Sequence, residues 1–105
     1  MTVTEYQEAV KRTCATTGKD VLKLAVIGLS GELGEIAEPV KKHLWGDHAL
    51  DRAYLQEEIG DLCWYLATLC NALGIALADA LQQNLEKLEC RYPDGFSAQM
   101  SQHRK

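Results

Sequence analysis

The sequence predicts an all-α fold resembling a four-helix bundle, and three features of the 105-residue chain indicate it. Apolar residues recur every three or four positions in four separate stretches, which places them on one face of a helix. Turn and stop residues, among them Gly18, Gly46 and Gly74, separate these stretches. The chain has no internal repeat, so we expect one domain over residues 1–96 and a flexible polar tail over 97–105.

The first two helices are predicted from their caps and apolar stripes. Thr4 can cap a first helix over about residues 4–16, which the glycine at position 18 ends. Asp20 is a good N-cap for a second helix over about residues 21–44. Pro39 lies inside that second helix and should kink it, because proline donates no N–H to the carbonyl one turn earlier.

The second helix also carries a strip of glycines at positions where each costs about 1 kcal/mol relative to alanine. They are Gly28, Gly31 and Gly34. A strip without side chains lets another backbone, or a ligand, approach the helix closely. The alternative explanation of the strip is tight helix packing alone.

The last two helices are likewise predicted from a cap, a stop signal and their apolar faces. Asp51 is predicted to cap a third helix over residues 51–73, and Gly74 is a C-terminal stop signal. A fourth helix is predicted over about residues 77–91, with leucines on its apolar face. Its start at Ala76 lacks a capping side chain.

Composition excludes several classes of protein. The net charge of −4 argues against a nucleic-acid polymer as partner, since such binding needs a basic surface. No apolar run is long enough to cross a membrane, and the polar start shows no signal peptide, so we expect a cytoplasmic protein. The four cysteines form no C-x-x-C pair, which predicts reduced cysteines acting as small core residues.

Two acidic pairs are the most informative feature of the chain. Glu32 and Glu35 lie three residues apart on the second helix, and Glu58 and Asp61 on the third, so each pair shares one helix face. If the two helices form an antiparallel hairpin, four carboxylates converge and repel one another unless a cation neutralises them. Oxygen-only ligands suit Mg²⁺, Mn²⁺ or Ca²⁺. The alternative is a solvated acidic face.

Other common sites are not supported by the sequence. A di-iron bundle needs Glu-x-x-His motifs, and none of His43, His48 and His103 completes one within a helix. Gly18-Lys19 is a turn and not part of a P-loop. No nucleophilic triad is indicated either, which favours a water activated by a metal as the nucleophile.

Three polar residues on the fourth helix could complement the acids. Asn84, Lys87 and Arg91 are spaced three and four apart and therefore share one face. Lysine and arginine side chains bind phosphate, arginine in bidentate fashion. The alternative is a cationic helix C-terminus that interacts with the macrodipole. Acids for a divalent metal together with cations for phosphate indicate a nucleotide or another polyphosphate as the ligand.

The motifs resemble those of the MazG-type all-α nucleoside triphosphate pyrophosphohydrolases. The resemblance covers about residues 20–96 and is carried by the segments 28–35, 57–62 and 84–96. It implies cleavage of a nucleoside triphosphate between the α- and β-phosphates, which yields a monophosphate and pyrophosphate. It further implies Mg²⁺ as the metal, with Mn²⁺ as a substitute, a homodimer or homotetramer with sites near subunit contacts, and a role in cleaning the nucleotide pool.

The resemblance also assigns roles to residues. The four acids, Glu32, Glu35, Glu58 and Asp61, correspond to the metal ligands of the family. Lys87 and Arg91 correspond to its phosphate-binding cations. Beyond the resemblance, we expect Asn84 and an aromatic side chain such as Trp45 or Trp64 to contact the base or sugar, and Glu35 or Glu38 to act as the general base. Two other functions stay open: a related all-α dUTPase, and a helical interaction module such as an antitoxin or adaptor.

Overall fold

The computed structural model describes residues 1–103 and confirms the all-α prediction, with no strand within those residues. Within residues 1–103, five α-helices and one 3-10 helix follow one another. They are α1 (Val3–Ala9), the 3-10 helix (Val10–Thr13), α2 (Asp20–Gly46), α3 (Arg52–Leu73), α4 (Leu77–Arg91) and α5 (Ala98–Gln102). The helix α5 was not predicted, and it lies where an irregular tail was expected. Ser97 caps it by accepting a hydrogen bond from the Met100 N–H, and residues 104–105 lie outside the described part.

The N-cap of helix α1 lies two residues before the predicted cap. Thr2, and not Thr4, is the N-cap, and its hydroxyl accepts a hydrogen bond from the Glu5 N–H at 3.0 Å. Glu5 in turn accepts from the Thr2 N–H at 2.8 Å, which completes a capping box. Thr2 with Glu5 matches the capping-box pattern, but Thr4 with Gln7 matches it too, so the pattern alone does not choose between the two threonines.

Helix α2 continues through Pro39 as one element and ends where Asp47 adopts a left-handed conformation, with φ of 56°. Asp20 is the first helical residue and not the N-cap, a position that Lys19 occupies without a side-chain cap. An acid in the first turn still interacts favourably with the helix dipole. Pro39 leaves the carbonyl of Glu35 without its helical N–H partner, and this exposed stretch lets water supply one.

Helices α2 and α3 form the predicted antiparallel hairpin. Gly28 faces the ring of Tyr65, and a side chain at this position would overlap that ring. Gly31 and Gly34 face open space, so only one of the three glycines is needed for close packing within the chain. The hairpin register follows: Gly28 lies opposite Tyr65, and residues further along α2 lie opposite earlier residues of α3.

A sharp corner separates α3 from α4, whose axes differ in direction by 101°. Gly74, with φ of 67°, ends α3 as predicted, and the Ile75 N–H donates to the Cys70 carbonyl at 2.9 Å in a Schellman arrangement. No single helix within the described residues is long and apolar enough to cross a membrane. Among these residues, α3 and α4 together have the length and apolar composition of a membrane span, but only as a pair bent at this corner.

Gln7 of α1 ties this corner to the rest of the molecule. Its amide nitrogen donates to the Asn71 side chain at 2.9 Å and to the Ile75 carbonyl at 2.8 Å. Its amide oxygen accepts from the Leu77 N–H at 2.7 Å, at the start of α4. The cap that Ala76 cannot provide therefore comes from a residue 70 positions earlier in the chain.

Replacing Gln7 by alanine is expected to destabilise the fold by roughly 1–3 kcal/mol, because it leaves half-buried hydrogen-bonding groups of the corner unpaired. Chemical denaturation of the variant measures the effect. The matched control is Gln82→Ala, whose side chain bonds only to exposed Glu86 and should change stability by no more than about 0.5 kcal/mol. Equal effects of the two substitutions would contradict this assignment.

The buried core is small, and much apolar surface is exposed. The buried apolar side chains are Val10, Ala25, Ala67, Cys70 and Leu77. The accessible surface is 8165 Å², whereas folded monomers of this mass expose about 5,900 Å². The radius of gyration is 17.1 Å, against about 13 Å for a compact domain of this length.

Two expectations about the core are therefore wrong. All four cysteines are free, but only Cys70 is buried, while Cys63 and Cys90 are exposed. On α4, only Leu77 of the apolar face is buried, and Leu81, Leu85 and Leu88 are exposed. Helix α1 contacts α4, yet Leu81, Leu85 and Leu88 stay exposed beyond the corner, so the apolar pattern did not imply burial.

Candidate metal centre between helices α2 and α3

The hairpin brings three of the predicted carboxylates to one point. Carboxylate oxygens of Glu32, Glu58 and Asp61 all lie within 4.8 Å of one another. Glu58 is only 7 % exposed, Glu32 is half-buried and Asp61 is exposed, so the cluster reaches from the helix interface to the surface. The i, i+3 spacing of Glu58 and Asp61 on α3, together with the antiparallel register, produces this convergence.

Two oxygens of this cluster lack hydrogen-bond donors. Glu32 Oε2 and Glu58 Oε2 are buried, and no donor among the described residues reaches either of them. A buried carboxylate oxygen without a partner is costly and is normally satisfied by a donor, a proton or a cation. Because the donor set is oxygen only, the residues fit a hard divalent cation such as Mg²⁺ or Mn²⁺.

The fourth acid, Glu35, lies beside Glu58 on the exposed side of the cluster. The close approach of the Glu58 carboxyl raises the pKa of Glu35, and the charge of Asp61 adds to this effect. The pKa of Glu58 is raised as well, chiefly by the neighbouring Glu32 carboxyl and by burial. In the metal-free protein, these crowded carboxyl groups therefore keep their protons to a higher pH than an ordinary glutamate does.

The raised pKa values predict that the metal-free protein loses stability as pH rises. Above about pH 4.5, the unfolded chain releases the protons of Glu35 and Glu58 while the folded chain still binds them. Stability from these groups is therefore complete below that pH and is lost as pH rises through the raised folded values.

Thermal melting in a chelator, from acid to mildly alkaline pH, should show this decline, and added Mg²⁺ should reverse it at the alkaline end. Glu58→Gln should flatten the chelator profile. A profile that is flat in the wild type, or one that Mg²⁺ does not change, would contradict the prediction.

The two candidates for a general base have different surroundings. The Glu38 carboxylate pairs with Lys41 Nζ at 3.2 Å, and both side chains are exposed. Glu35 instead belongs to the cluster, and its raised pKa brings it closer to the range in which a carboxylate accepts a proton well. The surroundings therefore favour Glu35 over Glu38.

A groove with a volume of ≈ 380 Å³ adjoins the acids on the side of the 3-10 helix. Its lining consists of Thr13, Glu32, Asp61, Trp64 and Tyr65. The indole N–H of Trp64 donates to the Thr13 hydroxyl at 2.8 Å, and the Trp64 and Tyr65 rings meet edge to face with centroids 5.1 Å apart. An aromatic wall beside a carboxylate cluster suits a flat heterocycle attached to phosphates.

Of the two tryptophans considered for base contact, the structure places only Trp64 at this groove. Trp45 is 80 % exposed near the end of α2. Thr13 and Tyr65 also line the groove, and neither was among the residues predicted from the sequence. Tyr65 could have been found from its place one helical turn after Asp61, but Thr13 lies on a different helix and carries no comparable signal.

The predicted phosphate-binding residues on α4 are not brought to the acids of the same chain. Asn84, Lys87 and Arg91 lie on the arm that leaves α3 at 101°. Arg91 is about 20 Å along α4 from the corner, and Asp61 is about 18 Å back along α3, at 1.5 Å of rise per residue. More than about 20 Å therefore separates these cations from the carboxylate cluster.

Fold and site together define a class of protein. An all-α chain with a helical hairpin, an acidic cluster suited to a divalent cation and an adjoining aromatic groove has the features of a helical protein that can bind a divalent cation. The sequence profile of the MazG nucleotide pyrophosphohydrolase domain matches residues 22–96, and the chain belongs to that family.

Two related proteins give further comparisons. The chain is 38% identical over 105 residues to the Gene 37 protein of Mycobacterium phage L5, an alignment that covers 90% of this chain and 92% of that one. It is 34% identical over 73 residues to the uncharacterized protein YpjD of Bacillus subtilis (strain 168), which covers 66% and 65% of the two chains. No solved structure matches the chain significantly.

Proposed function

We propose that this protein is a Mg²⁺-dependent nucleoside triphosphate pyrophosphohydrolase that converts a (d)NTP to a (d)NMP and pyrophosphate. The observation that carries the proposal is the pair of buried, partnerless oxygens of Glu32 and Glu58 in a chain of the MazG family. Mn²⁺ would substitute for Mg²⁺, since both prefer oxygen ligands. The role would be removal of surplus or damaged nucleotides from the cytoplasmic pool.

The residues of the hairpin can divide the work of this reaction. Glu32, Glu58 and Asp61 would hold the cation, which would offset phosphate charge and make a water more acidic. Glu35 would accept the proton of the attacking water, whose oxygen bonds to the α-phosphorus as the bond to the bridging oxygen breaks. Pyrophosphate leaves with that bridging oxygen, and Trp64 would hold the base in the groove.

A second copy of the chain would complete the site. The accessible surface exceeds that of a typical monomer by about 2,300 Å². Burial of this excess on two copies would remove about 4,600 Å² from solvent, which is in the range for obligate dimers. The apolar face of α4 is open, and Leu85 in its centre is 56 % exposed. If α4 packs on another copy, Lys87 and Arg91 of that copy can reach the phosphates, which they cannot do within one chain. A homodimer or homotetramer follows from this proposal.

The reaction is tested by incubating the protein with a panel of standard and damaged nucleoside triphosphates in Mg²⁺ and measuring the products. The expected result is monophosphate and pyrophosphate in equal amounts, and no products in a chelator. Release of orthophosphate, or no turnover of any member of the panel, would contradict the proposal. Strong preference for dUTP would identify the dUTPase alternative, because the panel compares bases directly.

The shared site is tested by mixing two inactive variants, Glu58→Gln and Arg91→Ala, after unfolding and refolding them together. Randomly mixed dimers should recover about a quarter of wild-type activity, since half of them are hybrids with one intact site. No recovery, with both variants folded and dimeric by sedimentation, would place the two residues in one chain's site or outside it.

A helical interaction module remains the second possible function, and the exposed apolar face of α4 is the observation in its favour. Thermal melting with and without Mg²⁺ distinguishes the two. A metal-binding enzyme gains stability when Mg²⁺ binds its folded state, whereas a module with a solvated acidic face does not.

A further inference from the structure

Tyr54 shares a helix face with the metal-binding acids of α3. It lies four residues before Glu58 and seven before Asp61, spacings that align side chains along one side of a helix. Asp51 caps this end of α3 by accepting a hydrogen bond from the Tyr54 N–H at 3.1 Å, which fixes the first turn. The residue therefore stands at the rim of the cluster, on a well-anchored turn.

The surroundings of the phenol support this placement. Partial desolvation raises the pKa of Tyr54, and the negative charges of Glu58, Glu35 and Glu32 raise it further. Within residues 1–103, only the backbone of Tyr54 makes a hydrogen bond outside the regular helix pattern, and its hydroxyl has no protein partner. The side chain is 38 % exposed, so the hydroxyl is accessible to a ligand.

The parts of the site follow one another along the axis of α3. The aromatic groove begins at Trp64, three residues beyond Asp61, while Tyr54 lies on the other side of the acids. Ten residues separate Tyr54 from Trp64, about 15 Å along the helix axis. With a base in the groove and the α-phosphate at the acids, the remaining phosphates of a nucleotide extend toward Tyr54.

A phenol suits this position better than a cationic side chain. An ammonium or guanidinium group beside four carboxylates would pair with them, and it would compete with the metal for the same oxygens. A neutral O–H makes no such ion pair. It can donate a hydrogen bond to an anionic phosphate oxygen, and bonds of this kind to charged groups are among the stronger ones.

We infer that the Tyr54 hydroxyl binds the β- and γ-phosphate end of the substrate and the pyrophosphate that leaves. The inference rests on the proposed function, since it assumes a nucleoside triphosphate at this site. It adds a residue and an orientation: the nucleoside lies toward the C-terminal end of α3, and the leaving group lies toward its N-terminal end.

The test compares Tyr54→Phe with wild type in binding of magnesium pyrophosphate and of the monophosphate product, by titration calorimetry and by product inhibition. The substitution removes only the hydroxyl. We expect pyrophosphate to bind about tenfold more weakly, while monophosphate binding stays the same. The stability gained on adding Mg²⁺ alone should also be unchanged. The matched control is Tyr92→Phe, since the Tyr92 ring packs against Phe96 with centroids 5.4 Å apart.

Unchanged pyrophosphate binding in Tyr54→Phe would overturn the inference. Equal weakening of pyrophosphate and monophosphate, or a lost response to Mg²⁺, would also overturn it, because either points to a structural role. Failure of the proposed function looks different: wild-type protein would then release no pyrophosphate from any nucleotide. A wild type that hydrolyses nucleotides, with a Tyr54→Phe variant that behaves identically, rejects only the role of Tyr54.

Discussion

Replacing Glu58 by glutamine is expected to make the metal-free protein more stable and nearly inactive. Glutamine has the shape of a protonated glutamate, and its amide can donate to the partnerless oxygen of Glu32. It also removes one of the charges that raise the pKa of Glu35. The same change takes away a carboxylate ligand, so we expect turnover to fall by at least about a hundredfold.

Opposite effects on stability and activity separate a metal site from a structural acid. Thermal melting in a chelator and in Mg²⁺ measures stability, and pyrophosphate release measures activity. Glu57→Gln is the matched control, because it removes the same charge from the neighbouring, exposed position of α3. Full activity of Glu58→Gln, or an equal loss in Glu57→Gln, would indicate a solvated acidic face without a catalytic role.

Replacing Gly28 by alanine is expected to destabilise the protein and disturb the aromatic groove. The new Cβ would overlap the ring of Tyr65, which is held between α2 and the neighbouring Trp64 ring. Overpacking of this kind costs roughly 1–3 kcal/mol, and the gain of about 1 kcal/mol in helix propensity offsets only part of it. We expect a lower melting temperature and a higher KM, because Tyr65 must move away from the groove.

Gly34→Ala is the control for this substitution, since nothing lies near its missing side chain. In dilute protein, it should raise stability by up to about 1 kcal/mol, through helix propensity alone. Chemical denaturation of both variants measures the difference. If Gly28→Ala were as stable as Gly34→Ala, the close contact between Gly28 and Tyr65 would be absent in solution.

Several parts of the site could be predicted from local spacing. Glu32, Glu35, Glu58 and Asp61 were found because residues three apart on a helix share a face. The stop at Gly74 was also found locally, since a left-handed residue suits glycine. Local spacing did not choose between Thr2 and Thr4 as the first cap, because Glu5 and Gln7 offer both the same capping-box pattern and Gln7 is bonded to the corner between α3 and α4.

Other parts depend on contacts between distant segments and had no local signal. The glycine strip looked uniform in the sequence, yet Gly28 alone meets a neighbouring side chain. The start of α4 appeared uncapped, and Gln7 supplies the missing acceptor from the other end of the chain. The cations of α4 appeared to complement the acids, but the corner at Gly74 points them away.

The sequence by itself determined the helical class, the two acidic pairs and the family, because helix periodicity and motif spacing are properties of neighbouring residues. Only the tertiary structure decided which carboxylates meet, which oxygens are buried without partners, and that Thr13 and Tyr65 line the adjoining groove. The physical reason is that the register of the α2–α3 hairpin and the direction of α4 arise from packing between segments far apart in the chain.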